Sequence, residues 1–519
     1  MRLVDYLDKG ASLGPDRPCL TADGRSRSYR DVRRLADRVA AALVARGVSP
    51  GASVAILSAN DPDAFTCVFG ISRAGAVWCP VNPRAEAPEN RELLDLFDCS
   101  VLIFQSAFTD LVERIRGQLP KVATYVCLDG EVPWAVGWER FLALGDGRQP
   151  VDAGYRDDLA MIVGTGGTTG RPKGVMLTGR NLETMTALTL MGYPFRGRPV
   201  YLALAPLTHA AGVLCFPVLA HGGEIVIMRT PDVHRFLALI PAHGVTHTFL
   251  PPTLIYMVLG APELDRTELG SLQCFWYGAA PMSVARLREA LSRIGPVMAQ
   301  LFGQTEAPMM ISMLPPAEHF RSDGTVAVGR LASAGRPAPL VTVGIMGPAG
   351  ELLPAGERGE IVVRSSLVMA GYYKNPAATA EASRFGWHHT GDIGYLDDDG
   401  YLFIVDRAKD MIITGGFNVY SIEVEQALMQ HPDVRDCAVL GLPDDKWGER
   451  VVAVVQAQPG RTVDRAALIA FVKERIGSVK APKQVEIWDE LPRSKVGKVV
   501  KPDIRTRLVA SATGPGRLP

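Results

Sequence analysis

Residues 164–174 read GTGGTTGRPKG and follow directly after the short apolar run 159–163. Five glycines and three threonines in eleven residues are not typical of a helix or a strand. Glycines let successive backbone N–H groups turn toward an anion, while the threonine hydroxyls and Lys173 add donors and a positive charge. The stretch therefore predicts a polyphosphate-binding loop, and it is not a P-loop because proline precedes the lysine. The predicted contacts are Thr165, Gly166, Gly167, Thr168, Thr169, Gly170 and Lys173.

Short apolar runs alternate with helical patterns on both sides of this loop. The helical period is clearest over residues 28–47. The predicted strands are 54–57, 101–104, 122–127, 159–163, 201–204, 224–228, 246–250, 272–276 and 297–302. Such alternation predicts α/β architecture with parallel sheets covered by helices, in which ligands bind at the carboxyl ends of the strands.

The second half of the chain changes in character twice. Residues 324–400 are rich in Gly/Pro turns and β-type runs, which predicts a small β-barrel or meander. The predicted elements after residue 411 are a helix at 421–429, strands at 436–440 and 451–457, a helix at 464–476 and a strand at 484–487. We therefore predict an N-terminal domain at 1–406 that includes this β-rich subdomain, a hinge at 407–410, and a compact α+β domain at 411–519 that ends in a disordered tail from Ala510.

Composition narrows the class of protein. The chain has 519 residues, 47% hydrophobic, and its 55 Lys and Arg balance 55 Asp and Glu, so no overall charge favours nucleic acid or an anionic membrane. The eight cysteines form no C-x-x-C pair, which argues against zinc and disulfides. The sequence contains no long apolar run, so neither a signal peptide nor a transmembrane segment is predicted. We expect a cytoplasmic protein without a nucleic-acid partner, whose end from Lys473 onward is basic.

The loop resembles the signature T-S-G-T-T-G-x-P-K-G of the adenylate-forming (AMP-binding) superfamily, in its acyl-/aryl-CoA synthetase branch. Gly166 replaces the usual serine and removes one hydroxyl donor. Other stretches resembling the superfamily's motifs follow in order: FGQTE at 302–306, GWHHTGD at 386–392, DRAKD at 406–410 and LPRSKVGK at 491–498. The resemblance implies a large domain of layered parallel sheets with a β-barrel-like subdomain, and a small mobile α+β domain.

The resemblance also implies roles for residues around ATP. Thr305 contacts the α-phosphate, Glu306 binds Mg²⁺, and Asp392 binds the ribose together with Arg407. Lys409 matches the pivot of the mobile domain, and Lys498 matches the lysine that bridges the carboxylate and the α-phosphate. The remaining nucleotide contacts implied by matching stretches are Gly278, Ala279, Ala280, Pro281, Phe302, Gly303 and Gln304.

The acid and the thiol have candidate contacts too. His209 and Ala210 match the motif that lines the acyl channel, and Ala210 stands where amino-acid-activating relatives keep an aspartate. A buried ammonium would be unpaired there, which argues against an amino-acid substrate. The other acyl candidates are Phe249, Trp276, Met309 and Met310, which leave both alkyl and aryl acids open. The candidate CoA contacts are Gly415, Gly416, Trp447, Lys480 and Lys483.

The implied activity is ATP-dependent ligation of a fatty or aryl acid to CoA through an acyl-AMP, with ATP, Mg²⁺ and CoA as the small molecules involved. An enzyme that loads the acid onto a carrier-protein phosphopantetheine shares the same ATP chemistry and stays an alternative. An oxygen-dependent light emitter and a nucleotide-binding regulator are more distant alternatives. The oligomeric state is open, with a homodimer among the options.

Overall fold

The computed structural model describes residues 1–148, 154, 158–165, 172–207, 210–407, 410–493 and 499–512. The helices are α1 (Leu3–Leu13), α2 (Tyr29–Ala45), α3 (Pro62–Arg73), α4 (Ala87–Leu96), α5 (Thr109–Arg116), α6 (Trp138–Ala143), α7 (Gly179–Gly192), α8 (Ala210–Val213), α9 (Cys215–Ala220), α10 (Val233–His243), α11 (Pro252–Leu259), α12 (Val284–Arg293), α13 (Pro376–Ala382), α14 (Ser421–Leu428), α15 (Arg465–Ile476) and α16 (Lys501–Ala512).

The strands divide among four sheets. In chain order they are β1 (Pro18–Ala22), β2 (Arg25–Ser28), β3 (Ser53–Leu57), β4 (Val77–Val81), β5 (Cys99–Phe104), β6 (Thr124–Cys127), β7 (Val136–Gly137), β8 (Leu159–Thr165), β9 (Lys173–Thr178), β10 (Val200–Ala203), β11 (Glu224–Ile227), β12 (His247–Leu250), β13 (Cys274–Gly278), β14 (Met298–Gln304), β15 (Ala307–Leu314), β16 (Arg336–Pro337), β17 (Thr342–Met346), β18 (Gly359–Arg364), β19 (Gly371–Tyr372), β20 (His388–Leu396), β21 (Leu402–Arg407), β22 (Ile412–Thr414), β23 (Phe417–Val419), β24 (Val434–Asp444), β25 (Gly448–Ala457) and β26 (Gln484–Ile487).

Two large sheets carry the parallel strands that the sequence predicts. One has the order β16-β15-β14-β13-β12-β10-β11-β1-β2, and its strands from β14 to β1 pair in parallel. The other has the order β19-β9-β8-β4-β3-β5-β6-β7, with parallel pairing from β8 to β7. The predicted α/β fold with parallel sheets is therefore confirmed.

Antiparallel pairs at the edges of these sheets were not predicted, and they matter for the site. Strands β8 and β9 pair as an antiparallel hairpin around the glycine-rich stretch, and β19 adds to β9. Strands β14 and β15 form a second hairpin around the FGQTE stretch. The predicted strand at 272–276 lies two residues later, because β13 pairs with β14 as far as Gly278 and Leu301.

A shared hydrophobic core joins the two large sheets and several helices. It includes Ile56 and Ile103 from one sheet, Phe249 and Trp276 from the other, and Val39 from α2. Helix α2 forms because apolar residues recur at the helical period and Ser28 caps its first turn, where its side chain accepts from the backbone N–H of residue 31. This core places the carboxyl ends of β8 and β13 on a common framework.

Two smaller sheets follow. Strands β17, β18, β20 and β21 form a four-stranded antiparallel sheet in that order. The first three lie within residues 324–400, the region predicted to be β-rich, and β21 follows directly after it. Strands β22 to β26 form the last sheet, which packs on α14 and α15 through a separate core that includes Val424, Val439, Val455 and Leu468. The predicted small α+β unit is thus present.

The C-terminal unit contacts the large one directly. Gln426 of α14 donates through Nε2 to the carbonyl of Met282 at 3.2 Å, and it accepts from the N–H of Val284 at 3.4 Å. Arg493 donates to Oγ1 of Thr253 at 3.3 Å. Helix α16 continues through Ala512, so the tail predicted from Ala510 is wrong at its start, because Ile504 and Leu508 bury their side chains on a core of the C-terminal unit. Within the described ranges, no helix has the length and hydropathy needed to cross a membrane.

Candidate active site

The turn of the β14–β15 hairpin presents a carboxylate. Gln304 pairs with Ala307, so Thr305 and Glu306 are the two turn residues, and both are half-buried. The hydroxyl of Tyr372 donates to Oε1 of Glu306 at 2.9 Å. Burial first, and then the negative charge of Glu306, raises the pKa of Tyr372 above its usual range, so this hydroxyl stays protonated and remains a donor.

The base of the glycine-rich stretch lies against the same tyrosine. Thr165 and Lys173 are cross-strand partners where β8 ends and β9 begins. The ammonium of Lys173 lies 4.8 Å from the centroid of the Tyr372 ring, a cation–π arrangement. The predicted phosphate contacts Gly166, Gly167, Thr168, Thr169 and Gly170 lie outside the described residues. The flanking cation and the Glu306 carboxylate therefore both contact Tyr372, one at its ring and the other at its hydroxyl.

Tyr372 was not predicted from the sequence. Its strand, β19, pairs antiparallel with β9, so that Tyr372 lies opposite Val175. The N–H of Met369 also donates to the carbonyl of Glu306 at 2.7 Å, which fixes this segment to the turn. The sequence signal was an aromatic pair after a glycine, but nothing in the sequence showed which strand it would join.

The Asp392 carboxylate has a basic partner on the adjacent strand of the small antiparallel sheet. Asp392 on β20 and Arg407 on β21 are cross-strand partners, and Nε of Arg407 lies 2.6 Å from Oδ1 of Asp392. Asp392 is buried, with 4% of its surface exposed, whereas Arg407 is half exposed. A buried carboxylate held by a charged hydrogen bond at the surface is suited to accept hydrogen bonds from a vicinal diol.

One side chain connects the Glu306 turn to the Asp392 strand. Gln304 donates through Nε2 to the carbonyl of Thr390 at 3.1 Å, and its Oε1 lies 3.1 Å from Nε2 of His388. Burial lowers the pKa of His388, which favours the neutral imidazole. Because an amide oxygen accepts, Nε2 is the nitrogen that donates to Gln304. His388 was only an unspecified position of its motif in the sequence, so its link to Gln304 was missed.

The residues expected beside the adenine occupy strained or crowded backbone. Gly278 ends β13, and a Cβ there would lie 2.3 Å from the carbonyl oxygen of Leu301. Ala279 has φ +66°, in the left-handed region that non-glycine residues rarely adopt, and Ala280 follows it in the same bend, ahead of Pro281. A Cβ on Gly303, which follows the half-buried Phe302, would lie 2.4 Å from the N of Met309.

Three of the acyl candidates share one hydrophobic core. Phe249 and Trp276 are partners on β12 and β13, and they share one core with Met310 on β15. All three are buried, while Met309 is half-buried and has φ +65°. His209 and the side chain of Ala210 lie outside what the structure describes.

Asn60, which the sequence analysis missed, fixes the chain just before His209. Its Nδ2 donates to the carbonyls of Ala205 at 3.1 Å and Met228 at 3.0 Å, and its Oδ1 accepts from the N–H of Leu207 at 2.8 Å. Asn60 is buried, and these bonds use both ends of its amide. A lone asparagine after a predicted strand carried no signal of this long-range contact.

The CoA candidates divide into two groups. Gly415 and Gly416 form the turn of the β22–β23 hairpin with φ of +57° and +79°, and the N–H of Gly415 donates to the carbonyl of Trp447 at 2.7 Å. The ammonium groups of Lys446 and Lys483 lie 4.9 and 6.0 Å from the Trp447 ring, which is 40% exposed. Burial lowers the pKa of Lys483.

Lys480 forms an ion pair with an acidic residue of α14. Its Nζ is 2.5 Å from Oε1 of Glu423, on the first turn of α14. The two predicted catalytic lysines, Lys409 and Lys498, both lie outside the described residues.

Two parts of the chain match known protein families, and its whole length resembles known enzymes. Residues 7–373 match the family model described as AMP-binding enzyme, and residues 423–498 match the AMP-binding enzyme C-terminal domain. The chain is 34% identical over 498 residues to a medium/long-chain-fatty-acid–CoA ligase of Mycobacterium tuberculosis, covering 91% of this chain and 85% of that one. It is 36% identical over 500 residues to a feruloyl-CoA synthase of Amycolatopsis sp, covering 96% and 97%.

A solved structure agrees with these matches. The anthranilate CoA ligase AuaEII, in complex with anthranoyl-AMP, superposes with a TM-score of 0.89 at 25% identity and covers 98% of each chain. The fold, the order of the motifs and the two family domains therefore agree, and the chain is an enzyme that belongs to the adenylate-forming AMP-binding family, in its acyl- and aryl-CoA synthetase branch.

Proposed function

We propose that the chain is an ATP-dependent carboxylic acid–CoA ligase that activates a fatty or aryl acid as acyl-AMP and then forms its CoA thioester. The observation that carries the proposal is the arrangement of Lys173, Tyr372 and Glu306. It brings the cation that ends the glycine-rich stretch and the carboxylate of the FGQTE turn to one place, as a magnesium–triphosphate complex requires.

The chemistry needs no protein nucleophile. A carboxylate oxygen of the acid attacks the α-phosphorus of ATP, the bond to the bridging oxygen breaks, and pyrophosphate leaves. The thiol of CoA then attacks the acyl carbon, loses its proton, and AMP leaves with the bonding electron pair. Positioning and charge stabilisation are the contributions asked of the protein.

The geometry supports the nucleotide contacts that we propose. Lys173 carries positive charge to the phosphates, and Asp392 accepts from the ribose hydroxyls while Arg407 keeps its carboxylate oriented. The adenine would rest against the bend that begins at Gly278, where only a residue without a side chain fits under Leu301.

Glu306 fits a magnesium ion that arrives with ATP. One of its oxygens accepts from Tyr372, and Mg²⁺ prefers one or two carboxylates combined with phosphate oxygens and waters. In the part of the chain that the structure describes, no cluster of three His, Cys, Asp or Glu side chains is arranged for a metal. The bound ion would neutralise charge on the β- and γ-phosphates.

Two half-reactions need different surroundings, so we propose that the C-terminal domain at 411–519 turns about the hinge at 407–410. Lys498 would enter for adenylation, and the Gly415–Gly416 turn would replace it for thioester formation. The exposed Trp447 ring and the ammonium groups of Lys446 and Lys483 beside it offer a stacking surface and positive charge to a phosphorylated nucleotide.

A carrier-protein thiol is the second candidate acceptor, because the same pantetheine arm would pass the same glycine turn. Product analysis with free CoA and with a holo-carrier protein separates the two. We expect acyl-CoA to form with free CoA at a rate that the carrier does not exceed.

The test of the proposed function is a panel of carboxylic acids scored by AMP release that requires both ATP and CoA. We expect at least one alkyl or aryl acid to give AMP, pyrophosphate and thioester, and we expect Glu306→Gln to lower the rate at least a hundredfold. Hydrolysis of ATP that is independent of the acid, or no AMP release with any acid, would contradict the proposal.

A further inference from the structure

Residues 278–281 form the bend that we propose holds the adenine, and we call them the adenine bend. Helix α12 begins at Val284, shortly after this bend. Ser283 occupies the N-cap position of α12, but among the described residues its side chain accepts no hydrogen bond from the first turn. The N–H groups of a first turn have no partner within their own helix, so another group has to supply the acceptor.

The acceptor comes from the C-terminal unit. Gln426 on α14, 142 residues along the chain, accepts through Oε1 from the N–H of Val284 at 3.4 Å. Its Nε2 donates to the carbonyl of Met282 at 3.2 Å. Between these two bonds, the N–H of Ser283 donates to the hydroxyl of Tyr256 at 2.9 Å. Side chains therefore fix three successive residues directly after the adenine bend, and Gln426 fixes two of them.

The position of Gln426 is set by the other end of its helix. Ser421 begins α14 and is buried, and both its N–H and its hydroxyl donate to the carboxylate of Asp406 on β21, the hydroxyl at 3.0 Å. The ring of Tyr420 lies 5.0 Å from the guanidinium carbon of Arg358, which precedes β18. Helix α14 is thus docked on the small antiparallel sheet at one end and on α12 through Gln426.

These contacts belong to one orientation of the C-terminal domain. Arg493, from the 491–498 stretch, donates to Thr253, three residues beyond the carboxyl end of β12. The start of that stretch therefore lies on the side of the sheet where the nucleotide contacts are proposed. Phe417, in the hairpin that would serve thioester formation, is 60% exposed. The structure thus has the orientation proposed for adenylation, and a turn of the domain would withdraw Gln426 from α12.

We propose that Gln426 is a positioning residue that caps α12 from the C-terminal domain and holds the adenine bend in its binding conformation only while that domain is turned for adenylation. The inference rests on the proposed acid–CoA ligase function and on the proposed turn at 407–410. Ala279 in the bend has φ +66°, a conformation that the surrounding contacts must stabilise. Withdrawal of Gln426 removes two of those contacts, so the same turn that admits the thiol also loosens the hold on AMP.

Gln426→Ala tests the proposal, because it removes both bonds. In ATP–pyrophosphate exchange with an acid that the wild type activates, we expect the KM for ATP to rise about fivefold and kcat to stay within about twofold. Thioester formation from saturating acyl-AMP and CoA should keep the wild-type rate, because Gln426 is withdrawn in that orientation. Hydrogen exchange of the backbone amides at 282–284 should become faster, a readout that does not depend on activity.

Gln430→Ala is the matched control, since it is the same substitution at an exposed residue just beyond the end of α14. It should leave the KM for ATP and the exchange of amides 282–284 unchanged. An unchanged KM for ATP in Gln426→Ala, or an equal fall in the rates of both half-reactions, overturns the inference while the ligase function stands. Absence of exchange in the wild type with every acid offered overturns the ligase function itself.

Discussion

Tyr372 and Glu306 are joined by a hydrogen bond of 2.9 Å, although 66 residues separate them in the chain. The hydroxyl of Tyr372 stays protonated because burial raises its pKa. Its ring meanwhile faces the ammonium of Lys173. A single side chain therefore orders the carboxylate and the cation on which the proposed adenylation depends.

Tyr372→Phe tests this contact, because phenylalanine keeps the ring beside Lys173 and removes only the donor to Glu306. We expect kcat/KM for ATP to fall about tenfold, since a hydrogen bond to a charged group contributes about 1.5 kcal/mol. We also expect the Mg²⁺ concentration at half-maximal rate to rise. Acid-dependent ATP–pyrophosphate exchange measures both quantities.

The adjacent tyrosine supplies the control. Tyr373 donates to Oδ2 of Asp98 at 2.7 Å, away from Glu306, so Tyr373→Phe should leave ATP use unchanged. Equal losses in the two variants would show that the Glu306 contact has no special role.

Asp392→Asn tests recognition of the ribose. An amide accepts through one oxygen only and carries no charge, so binding of the diol and of Arg407 should both weaken. We expect the KM for ATP to rise at least tenfold and the preference for ATP over 2′-deoxy- and 3′-deoxy-ATP to shrink. Asp398→Asn, on an exposed turn, is the control and should retain the wild-type preference. If Asp392→Asn kept the full preference for ATP over the two deoxy nucleotides, Asp392 would not be the residue that binds the ribose.

The sequence predicted the parallel sheets and the ordered motifs, because strand–helix alternation and glycine-rich turns are local patterns. It predicted Lys173 from the same kind of local pattern, and Glu306 and Asp392 through the resemblance of their stretches to the family's motifs. It could not predict Tyr372, His388 or Asn60, because their roles depend on the pairing of strands far apart in the chain.

Two further features could not be predicted from the sequence, for physical reasons. The left-handed backbone at Ala279 and Met309 cannot be read from residues that normally avoid it. The continuation of α16 to Ala512 depends on burial of Ile504 and Leu508 against the C-terminal sheet, whereas the local composition suggested disorder.

Gly303→Ala tests the crowding at the β14–β15 hairpin. Its Cβ would lie 2.4 Å from the backbone N of Met309, and backbone atoms cannot move aside as a flexible side chain does. We expect a loss of stability of about 1–3 kcal/mol and a lower rate of adenylation. Gly270→Ala, where no atom lies within 4 Å of the added Cβ, should change neither denaturant midpoint nor rate. Similar midpoints for the two variants would contradict the packing described.

Stability should depend on pH through His319. This imidazole is buried, with Nε2 3.0 Å from the Tyr277 hydroxyl and Nδ1 3.1 Å from the Pro315 carbonyl, and burial lowers its pKa to about 4. The unfolded chain, with a pKa of about 6.5, binds the proton more readily, so stability should rise as pH increases from about 4 to 6.5. The effect should approach about 3 kcal/mol, from 1.36 kcal/mol per pKa unit.

Denaturant titrations between pH 4.5 and 7.5 measure this dependence. His319→Gln removes the titrating group and should flatten the curve in part, because His247 contributes a slope of the same sign. An unchanged slope in His319→Gln would show that this histidine is not the source.

The two half-reactions measured on Lys498→Ala test the central claim most directly. With an acid that the wild type converts to its CoA thioester, the variant should lose acid-dependent ATP–pyrophosphate exchange at least a hundredfold. It should still form thioester from supplied acyl-AMP and CoA at a rate near that of the wild type. Near-normal exchange in Lys498→Ala, or equal loss of both half-reactions, would contradict the account. In that account the C-terminal domain presents Lys498 to the bound acid for adenylation and a different face for thioester formation.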